Sequence, residues 1–178
     1  MRVMIFFDGR NFYSGWRRKA NAPKIDFDAL TRWVTEEVGG SIFWGAHYYT
    51  GIDPDPIRAK PLIGFLNMVE LKSGFIVHRF RKKDQHIHCE ECDANFVISQ
   101  EKAVDTSIVA DMLKYAPTYD IAVLVSGDAD YIPAVVAAGE LGKKVYIATW
   151  GDDSASQALR RAAFDHIDLM NGLKGFVI

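Results

Sequence analysis

The stretch IAVLVSGDADYIP, residues 121–133, decides the fold. Its first five residues are apolar and rich in β-branched side chains, which predicts a parallel strand buried on both faces. Ser126-Gly127 ends the strand, and Pro133 suits the first turn of a following helix. Asp128 and Asp130 therefore follow a buried strand, where charges need a cation or hydrogen-bond donors. A simpler interpretation is that Asp128 caps the following helix and that Asp130 lies in its first turn, where acidic residues are favoured.

The same pattern occurs at the amino terminus. Residues 2–7 form an apolar run that predicts the first strand, and Asp8 follows it directly. A glycine turn then leads to Asn11. A plain strand-to-helix turn with an asparagine cap would also explain Asp8 and Asn11.

Strands and helices alternate along the rest of the chain. Further strands are expected at 41–50, 75–80 and 143–148, with helical patterns between them. This alternation predicts one α/β domain over residues 1–178, with three layers, a central mostly parallel sheet of about five strands and helices on both faces. The strand at 121–125 is expected beside the first strand. Two short runs, 167–169 and 176–178, are candidate edge strands.

The predicted helix at 104–116 carries two acids with different positions. At 100° per residue, Asp105 lies at the centre of the apolar face and at the amino-terminal end. Because ligands of such sheets bind at the carboxyl ends of the strands, Asp105 is a candidate site residue. A helix cap is the alternative. Asp111 lies near the solvent boundary, which predicts a solvated residue or a partner of a site residue.

Composition excludes several classes of protein. The chain has 178 residues and a formal net charge of −2, so any nucleic acid must bind a local patch rather than the whole surface. The two cysteines are too few for a disulfide framework, which predicts a reducing, cytoplasmic location. The apolar run at the amino terminus is too short for a signal peptide, and no stretch has the length of a membrane span.

Residues 81–100 depart from the alternation and predict a hairpin-like excursion from the sheet. The segment begins with three basic residues, 81–83, which together with Arg79 offer a basic edge for a phosphate backbone. Imidazole and thiolate are good zinc ligands, and a gap of two residues between cysteines is a normal ligand spacing. A structural zinc site and an exposed, reduced hairpin both fit the pattern. The four potential zinc ligands are His86, His88, Cys89 and Cys92.

If the strands at 2–7 and 121–125 are neighbours, their acids meet where the strand order reverses. Close carboxylates repel each other, and one or two divalent cations would relieve the repulsion. Oxygen-only ligands favour Mg²⁺ or Mn²⁺ over zinc. Such ions suit phosphodiester hydrolysis, because they activate water and stabilise the leaving oxygen. The predicted catalytic and metal-binding set is Asp8, Asp105, Asp128 and Asp130.

The segments of sequence that carry these aspartates resemble the motifs of NYN domains, which belong to the PIN-like nuclease superfamily. The likeness is greatest to the LabA-like group. The resemblance implies a PIN-like (Rossmannoid) sheet, metal-dependent ribonuclease chemistry and an acidic metal site. The family's acids fall on the four aspartates already named, with Asn11 beside them. The likeness covers roughly residues 1–169. Its segments are DGRN at 8–11, EKAVD at 101–105 and SGDADY at 126–131, and the runs at 142–145, 156–159 and 165–169 are also similar.

RNA, single-stranded or structured, is the partner that this resemblance implies, and a homo-oligomer is left open. Asn11 would orient a ligand water or a phosphate oxygen, and Arg10 or Arg17 would steady the substrate backbone. Ser126 is a further candidate for substrate binding. The sequence disfavours dinucleotide and nucleoside triphosphate sites, because neither their glycine fingerprint after the first strand nor a phosphate loop is present. The rival interpretation is a catalytically weak or inactive regulatory, protein-interaction or RNA-binding module.

Overall fold

The central sheet has six parallel strands. The structure is a computed structural model that describes residues 1–100 and 103–178, without the side chains of 83–86 and 97–100. The order across the sheet is β3-β2-β1-β6-β7-β8. The predicted α/β class is confirmed. The sheet has six strands, whereas about five were predicted. The strands are β1 (Arg2–Asp8), β2 (Ile42–Ile52), β3 (Phe75–Arg81), β6 (Ile121–Val125), β7 (Lys144–Thr149) and β8 (Asp165–Asp168).

The sixth strand, β8, overlaps the predicted edge strand at 167–169. The other predicted edge strand, 176–178, is wrong, because Phe176 ends a short helix and is buried in the core. Val177 makes only an isolated bridge to Ile25.

Helices cover both faces of the sheet, as predicted. On one face, α1, α2, α3 and α7 pack against the odd-numbered residues of β6; on the other, α4, α5 and α6 pack against its even-numbered residues. Every residue of β6 is buried, which explains its continuous apolar sequence. The helices are α1 (Gly9–Lys19), α2 (Phe27–Glu37), α3 (Pro56–Glu70), α4 (Val104–Lys114), α5 (Ile132–Glu140), α6 (Gln157–Ala162) and α7 (Leu173–Phe176).

A separate antiparallel hairpin follows β3. It consists of β4 (Lys83–His88) and β5 (Asn95–Gln100) and pairs with no strand of the main sheet in the described residues. It lies in the segment where the sequence departs from the alternation of strands and helices. No helix within the described ranges combines the length and the apolar character needed to cross a membrane.

The strand order reverses between β1 and β6. Strand β1 pairs in parallel with β2 on one side and with β6 on the other, with Phe7 opposite Val125. The next residues along the two strands, Asp8 and Ser126, therefore lie side by side at the carboxyl edge of the sheet. This reversal is the position at which open α/β sheets bind ligands.

Candidate active site

Asp8 is a buried carboxylate held by three donors. Its Oδ1 accepts a hydrogen bond from the backbone N–H of Asn11 at 3.0 Å, which caps α1. Its Oδ2 accepts from the hydroxyls of Ser126 at 3.1 Å and Tyr131 at 3.3 Å. Burial raises the pKa of Asp8, and the hydrogen bonds oppose that rise. Asp8 is therefore both a helix cap, as the simpler interpretation proposed, and a partly desolvated acid at the sheet edge.

Tyr131 joins Asp8 to Asp105. Its hydroxyl oxygen lies 2.9 Å from Oδ1 of Asp105 and 3.3 Å from Oδ2 of Asp8, so a single O–H faces two carboxylates. Burial, followed by the charges of Asp8 and Asp105, raises the pKa of Tyr131 far above its ordinary value. The phenol stays protonated at neutral pH and is shared between the two acids. Tyr131 thus brings together Asp8, at the end of β1, and Asp105, in the first turn of α4.

Asp105 is not a helix cap. The residue that caps α4 is Ala103, in a left-handed conformation at φ 73° and without a side-chain hydrogen bond. Asp105 lies in the first turn of α4 with an exposed side chain that reaches Tyr131. The sequence predicted that Asp105 points towards the sheet, and its contact with Tyr131 agrees with that orientation.

Asp128 and Asp130 extend from the neighbouring turn and are exposed. Oδ1 of Asp128 accepts from the backbone N–H of Asp130 at 3.0 Å, which starts a short 3₁₀ turn at Ala129–Tyr131. The simpler interpretation, a cap followed by a first-turn acid, describes this local arrangement well. Both side chains still lie at the edge that carries Asp8, because Ser126 contacts Asp8 directly and accepts from the backbone N–H of Asp128 at 3.2 Å.

The four acids share one edge but do not converge on one point. Among the described side chains, no three of them bring ligand oxygens within 4.8 Å of one another. Their chemistry fits Mg²⁺ or Mn²⁺, since all the donors are carboxylate oxygens. In the described structure the Tyr131 hydroxyl, rather than a cation, stabilises the carboxylates of Asp8 and Asp105 by hydrogen bonding. Holding a cation would require the exposed side chains of Asp105, Asp128 and Asp130 to turn towards Asp8.

Ser126 and Asn11 hold the two turns of this edge together. Ser126 is buried, and its hydroxyl links Asp8 to the backbone of Asp128, which places it behind the carboxylates. Oδ1 of Asn11 accepts from the backbone N–H of Gly127 at 3.4 Å. The side-chain nitrogen of Asn11 makes no hydrogen bond to the described part of the chain. That N–H₂ group is therefore available to a ligand.

Arg10 and Arg17 line a groove of about 560 Å³ between α1 and α3, which starts at Gly9, directly after Asp8. Both side chains are exposed, and the Arg17 guanidinium lies 5.8 Å from the centre of the Tyr13 ring. No acidic side chain lines the groove within the described residues. Its other basic and aromatic lining residues are Arg58, Lys82, Tyr13, Trp16, Tyr48 and Phe65.

The predicted zinc ligands lie on the hairpin. The side chain of His86 falls outside the described residues. Of the other three, His88 contacts Asn95 at 3.2 Å, and Cys89 and Cys92 are reduced. Hydrogen bonds from the backbone and thiol of Cys92 lower the pKa of the Cys89 thiol. His88, Cys89 and Cys92 do not bring three ligand atoms within 4.8 Å of one another, so a zinc site on the hairpin stays a prediction.

A group that the sequence did not indicate lies beneath α4. His47, His78 and Asp111 each offer a ligand atom within 4.8 Å of the other two, so the group can hold a metal ion. Nδ1 of His47 lies 3.0 Å from Nε2 of His78, and Nε2 of His78 lies 3.9 Å from Oδ2 of Asp111. Asp111 is half-buried and accepts from the Tyr49 hydroxyl at 2.9 Å. The expectation of a solvated Asp111 is wrong, because Tyr49 and His78 fill the space beside it.

We expect the metal-free protein to lose stability as the pH falls from about 6.5 through 4. Burial, followed by the neighbouring His78, lowers the pKa of His47 to about 4, although Asp111 opposes this and Lys114 adds to it. The unfolded chain therefore binds a proton that the folded chain excludes, so His47 contributes a loss of about 3 kcal/mol across this range. Urea unfolding in chelator at pH 7.5 and 4.5 measures this loss. In His47→Gln the free energy of unfolding should fall less between the two pH values. An equal fall in the variant and the parent would show that His47 is not the group responsible.

Sequence reasoning missed Tyr131 and the two histidines for different reasons. Tyr131 ends the SGDADY motif, so its position was noticed, but nothing in the sequence showed that its hydroxyl reaches two acids. His47 and His78 stand singly in β2 and β3, 31 residues apart. Their meeting depends on the register that places Tyr49 opposite His78. For His47 the available signal was a histidine inside the largely apolar strand β2.

The comparisons with known proteins agree with this architecture. The family model of the NYN domain matches residues 2–170. The chain is 30% identical to the Low amplitude and bright protein LabA of Synechococcus elongatus, over 99% of this chain and 87% of that protein. A crystal structure of a protein of unknown function from Vibrio parahaemolyticus superposes with a TM-score of 0.66 at 23% identity, covering 99% of this chain and 96% of that one. The last similarity concerns the fold alone.

Proposed function

We propose that this chain, which belongs to the NYN domain family, is a metal-dependent ribonuclease that hydrolyses RNA phosphodiester bonds. The observation that carries the proposal is the contact of Asp8 and Asp105 through Tyr131 at the point where the strand order reverses. Asp128 and Asp130 project from the next turn of the same edge. The resemblance to PIN-like nucleases supports the same assignment, because the family's acids fall on these positions.

The four acids would hold Mg²⁺ or Mn²⁺. When bound, such an ion supplies a Lewis acid for the phosphate and lowers the pKa of a bound water. Asp8, buried and fixed by Asn11 and Ser126, has the orientation least able to change. Asp105, Asp128 and Asp130 are exposed, so their side chains have room to turn towards it, although Asp105 would leave the Tyr131 hydroxyl. Asn11 keeps one amide N–H₂ group for a phosphate oxygen.

The groove between α1 and α3 is the proposed path of the RNA. Exposed arginines bind phosphates, and aromatic rings stack on unpaired bases without strong sequence preference. Arg10, Arg17 and Arg58 supply the charge, and Tyr13 and Trp16 supply aromatic surface. This local patch reconciles RNA binding with a formal net charge of −2 for the whole chain. Because its lining includes apolar rings, single-stranded RNA is the better fit than a closed duplex.

The test is cleavage of a panel of single-stranded and structured RNAs by the purified full chain. We expect cleavage with Mg²⁺ or Mn²⁺ that stops in chelator and is faster on single strands. Arg10→Glu with Arg17→Glu should weaken RNA binding and flatten its salt dependence, because fewer counterions are released. Glu140→Gln, at the far end of α5, is the control for a change of surface charge. Absence of metal-dependent cleavage on every RNA would refute the proposal.

One observation favours a second candidate, a non-catalytic RNA-binding or protein-interaction module. The single O–H of Tyr131 lies between Asp8 and Asp105 and is shared by their carboxylates, so the pair has a hydrogen-bond donor without a cation. In that case the arginine groove would still bind RNA, and the acids would only shape the edge. RNA binding that survives chelator, without cleavage, would support this second function.

A further inference from the structure

We propose that His47, His78 and Asp111 form a site for a divalent first-row transition metal, with Zn²⁺ as the best fit. The three side chains come from β2, β3 and α4, and one ligand atom of each lies within 4.8 Å of the others. The site is distinct from the acids at the sheet edge, because Asp111 lies about 9 Å along α4 from Asp105. It does not depend on the proposed ribonuclease activity.

The donor atoms and their spacing suit zinc. Two imidazole nitrogens and one carboxylate oxygen are ordinary ligands of zinc, at about 2.0–2.2 Å from the ion. Neighbouring ligands of a tetrahedral ion at that distance lie about 3.3 Å apart. The observed separations, 3.0 Å between His47 and His78 and 3.9 Å between His78 and Asp111, lie on either side of this value. Mg²⁺ prefers six oxygen ligands, so the imidazole pair disfavours it.

Neighbouring aromatic groups already orient the ligands. The ring of His78 lies parallel to that of Tyr49, with 4.3 Å between centroids and 5° between planes. The hydroxyl of the same Tyr49 donates to Asp111 at 2.9 Å, so one tyrosine positions two ligands. The buried ring of His47 packs against Tyr115 at 4.8 Å. Hydrogen bonds and packing that fix ligand orientation are a usual feature of metal sites.

A hydrogen bond between the two histidines explains only part of this arrangement. It accounts for the 3.0 Å contact, but the 3.9 Å gap between His78 and Asp111 is too long for a hydrogen bond. Asp111 is half-buried, and among the described residues no lysine or arginine lies within 4.0 Å of its carboxylate. A cation between the three side chains would balance that charge and close the gap.

The position of the site gives the metal a structural role. Helix α4 carries Asp111 in its last turns and Asp105 in its first, whereas the two histidines belong to adjacent strands. A bound ion would therefore anchor α4 to β2 and β3. We expect zinc to raise the melting temperature of the chelator-treated protein.

The experiment is titration of the chelator-treated full chain with Zn²⁺ by calorimetry and with Co²⁺ by its visible absorption, which reports nitrogen and oxygen coordination. Two variants remove single ligands, His78→Gln and Asp111→Asn. The double variant Cys89→Ser, Cys92→Ser removes the thiols of the hairpin and is the matched control. We expect one zinc to remain in the cysteine variant, and His78→Gln and Asp111→Asn each to weaken its binding by at least about 10-fold.

Two results would overturn the proposal. Zinc binding that survives both ligand variants but is lost in the cysteine variant would assign the metal to the hairpin. Absence of tight zinc binding by the parent protein would leave the group as a plain polar contact. Asp111→Asn decides the outcome if His78→Gln does not fold, because asparagine can still accept the hydrogen bond from Tyr49 at this half-buried position.

Discussion

Asp105→Asn is expected to lower metal-dependent RNA cleavage by orders of magnitude while the metal-free protein melts at the parent temperature or above. Asparagine keeps an oxygen that accepts from Tyr131, and Asp105 does not cap α4, so no structural contact is lost. Removing the charge relieves repulsion with Asp8. It also removes a ligand oxygen, and water activation and charge stabilisation both depend on the ion.

The measurements are single-turnover cleavage and thermal unfolding in chelator, with Glu140→Gln as the control for charge. Asp8→Asn and Asp128→Asn should lose cleavage in the same way, and asparagine is as good a helix cap as aspartate at both positions. Cleavage at the parent rate by all three variants would show that the acids are not catalytic. A lower melting temperature in all three would show that their role is structural.

Tyr131→Phe separates the two candidate functions further. Without the hydroxyl, Asp8 and Asp105 face each other with no shared donor, so the metal-free protein should melt lower. Added Mn²⁺ should restore part of that loss if the acids hold a cation. The same loss with and without Mn²⁺ would favour the non-catalytic module.

Gly127→Ala is expected to destabilise the protein by about 1–3 kcal/mol, because an added methyl group overpacks the site. A Cβ at this position would lie 1.8 Å from the carbonyl oxygen of Ser154 and 2.8 Å from its carbonyl carbon. The same segment is joined to the turn by a hydrogen bond from the Ser156 N–H to the Gly127 carbonyl at 3.2 Å. Either the backbone at Gly127 or the backbone at Ser154 must therefore move, and the turn that carries Asp128 would move with it.

Thermal unfolding checks this expectation, and the melting temperature should fall by about 2–12 °C. Gly139→Ala is the matched control. Gly139 lies inside α5, and an added Cβ would meet no heavy atom from the rest of the protein within 4 Å beyond the backbone of its own helix and its chain neighbours, so alanine should stabilise the helix by about 0.5–1 kcal/mol. A Gly127→Ala protein that melts with the parent would mean that the Ser154 segment yields easily.

The sheet and its functional edge followed from local patterns. The apolar run of β6 predicted a strand buried on both faces, and the alternation of strands and helices predicted parallel pairing with β1. Parallel pairing alone is enough to bring Asp8 beside the turn after β6. The final strand count was harder to predict, because β8 has only four residues, of which a single one is fully buried.

Features that depend on distant contacts were beyond the sequence. Gly127 looked like a turn residue, but its φ is not in the left-handed region, and it is required by the close approach of Ser154. The pairing of His47 with His78 depends on the register between β2 and β3. The local contacts of the acids were also beyond the sequence: Asp128 uses an oxygen to start its own turn, and the Tyr131 hydroxyl lies between Asp8 and Asp105.

The strand order also sets the sequence in which a growing chain can fold. Strands β1, β2 and β3 are all available once the first 81 residues have been synthesised, but the other edge of β1 needs β6, which ends at Val125. Until then an apolar strand presents unpaired backbone groups, which is a template for pairing with other chains. The contact of Asp8 with Ser126 closes 118 residues of chain, so the acidic edge cannot form until Ser126 has been synthesised, well after β1, β2 and β3.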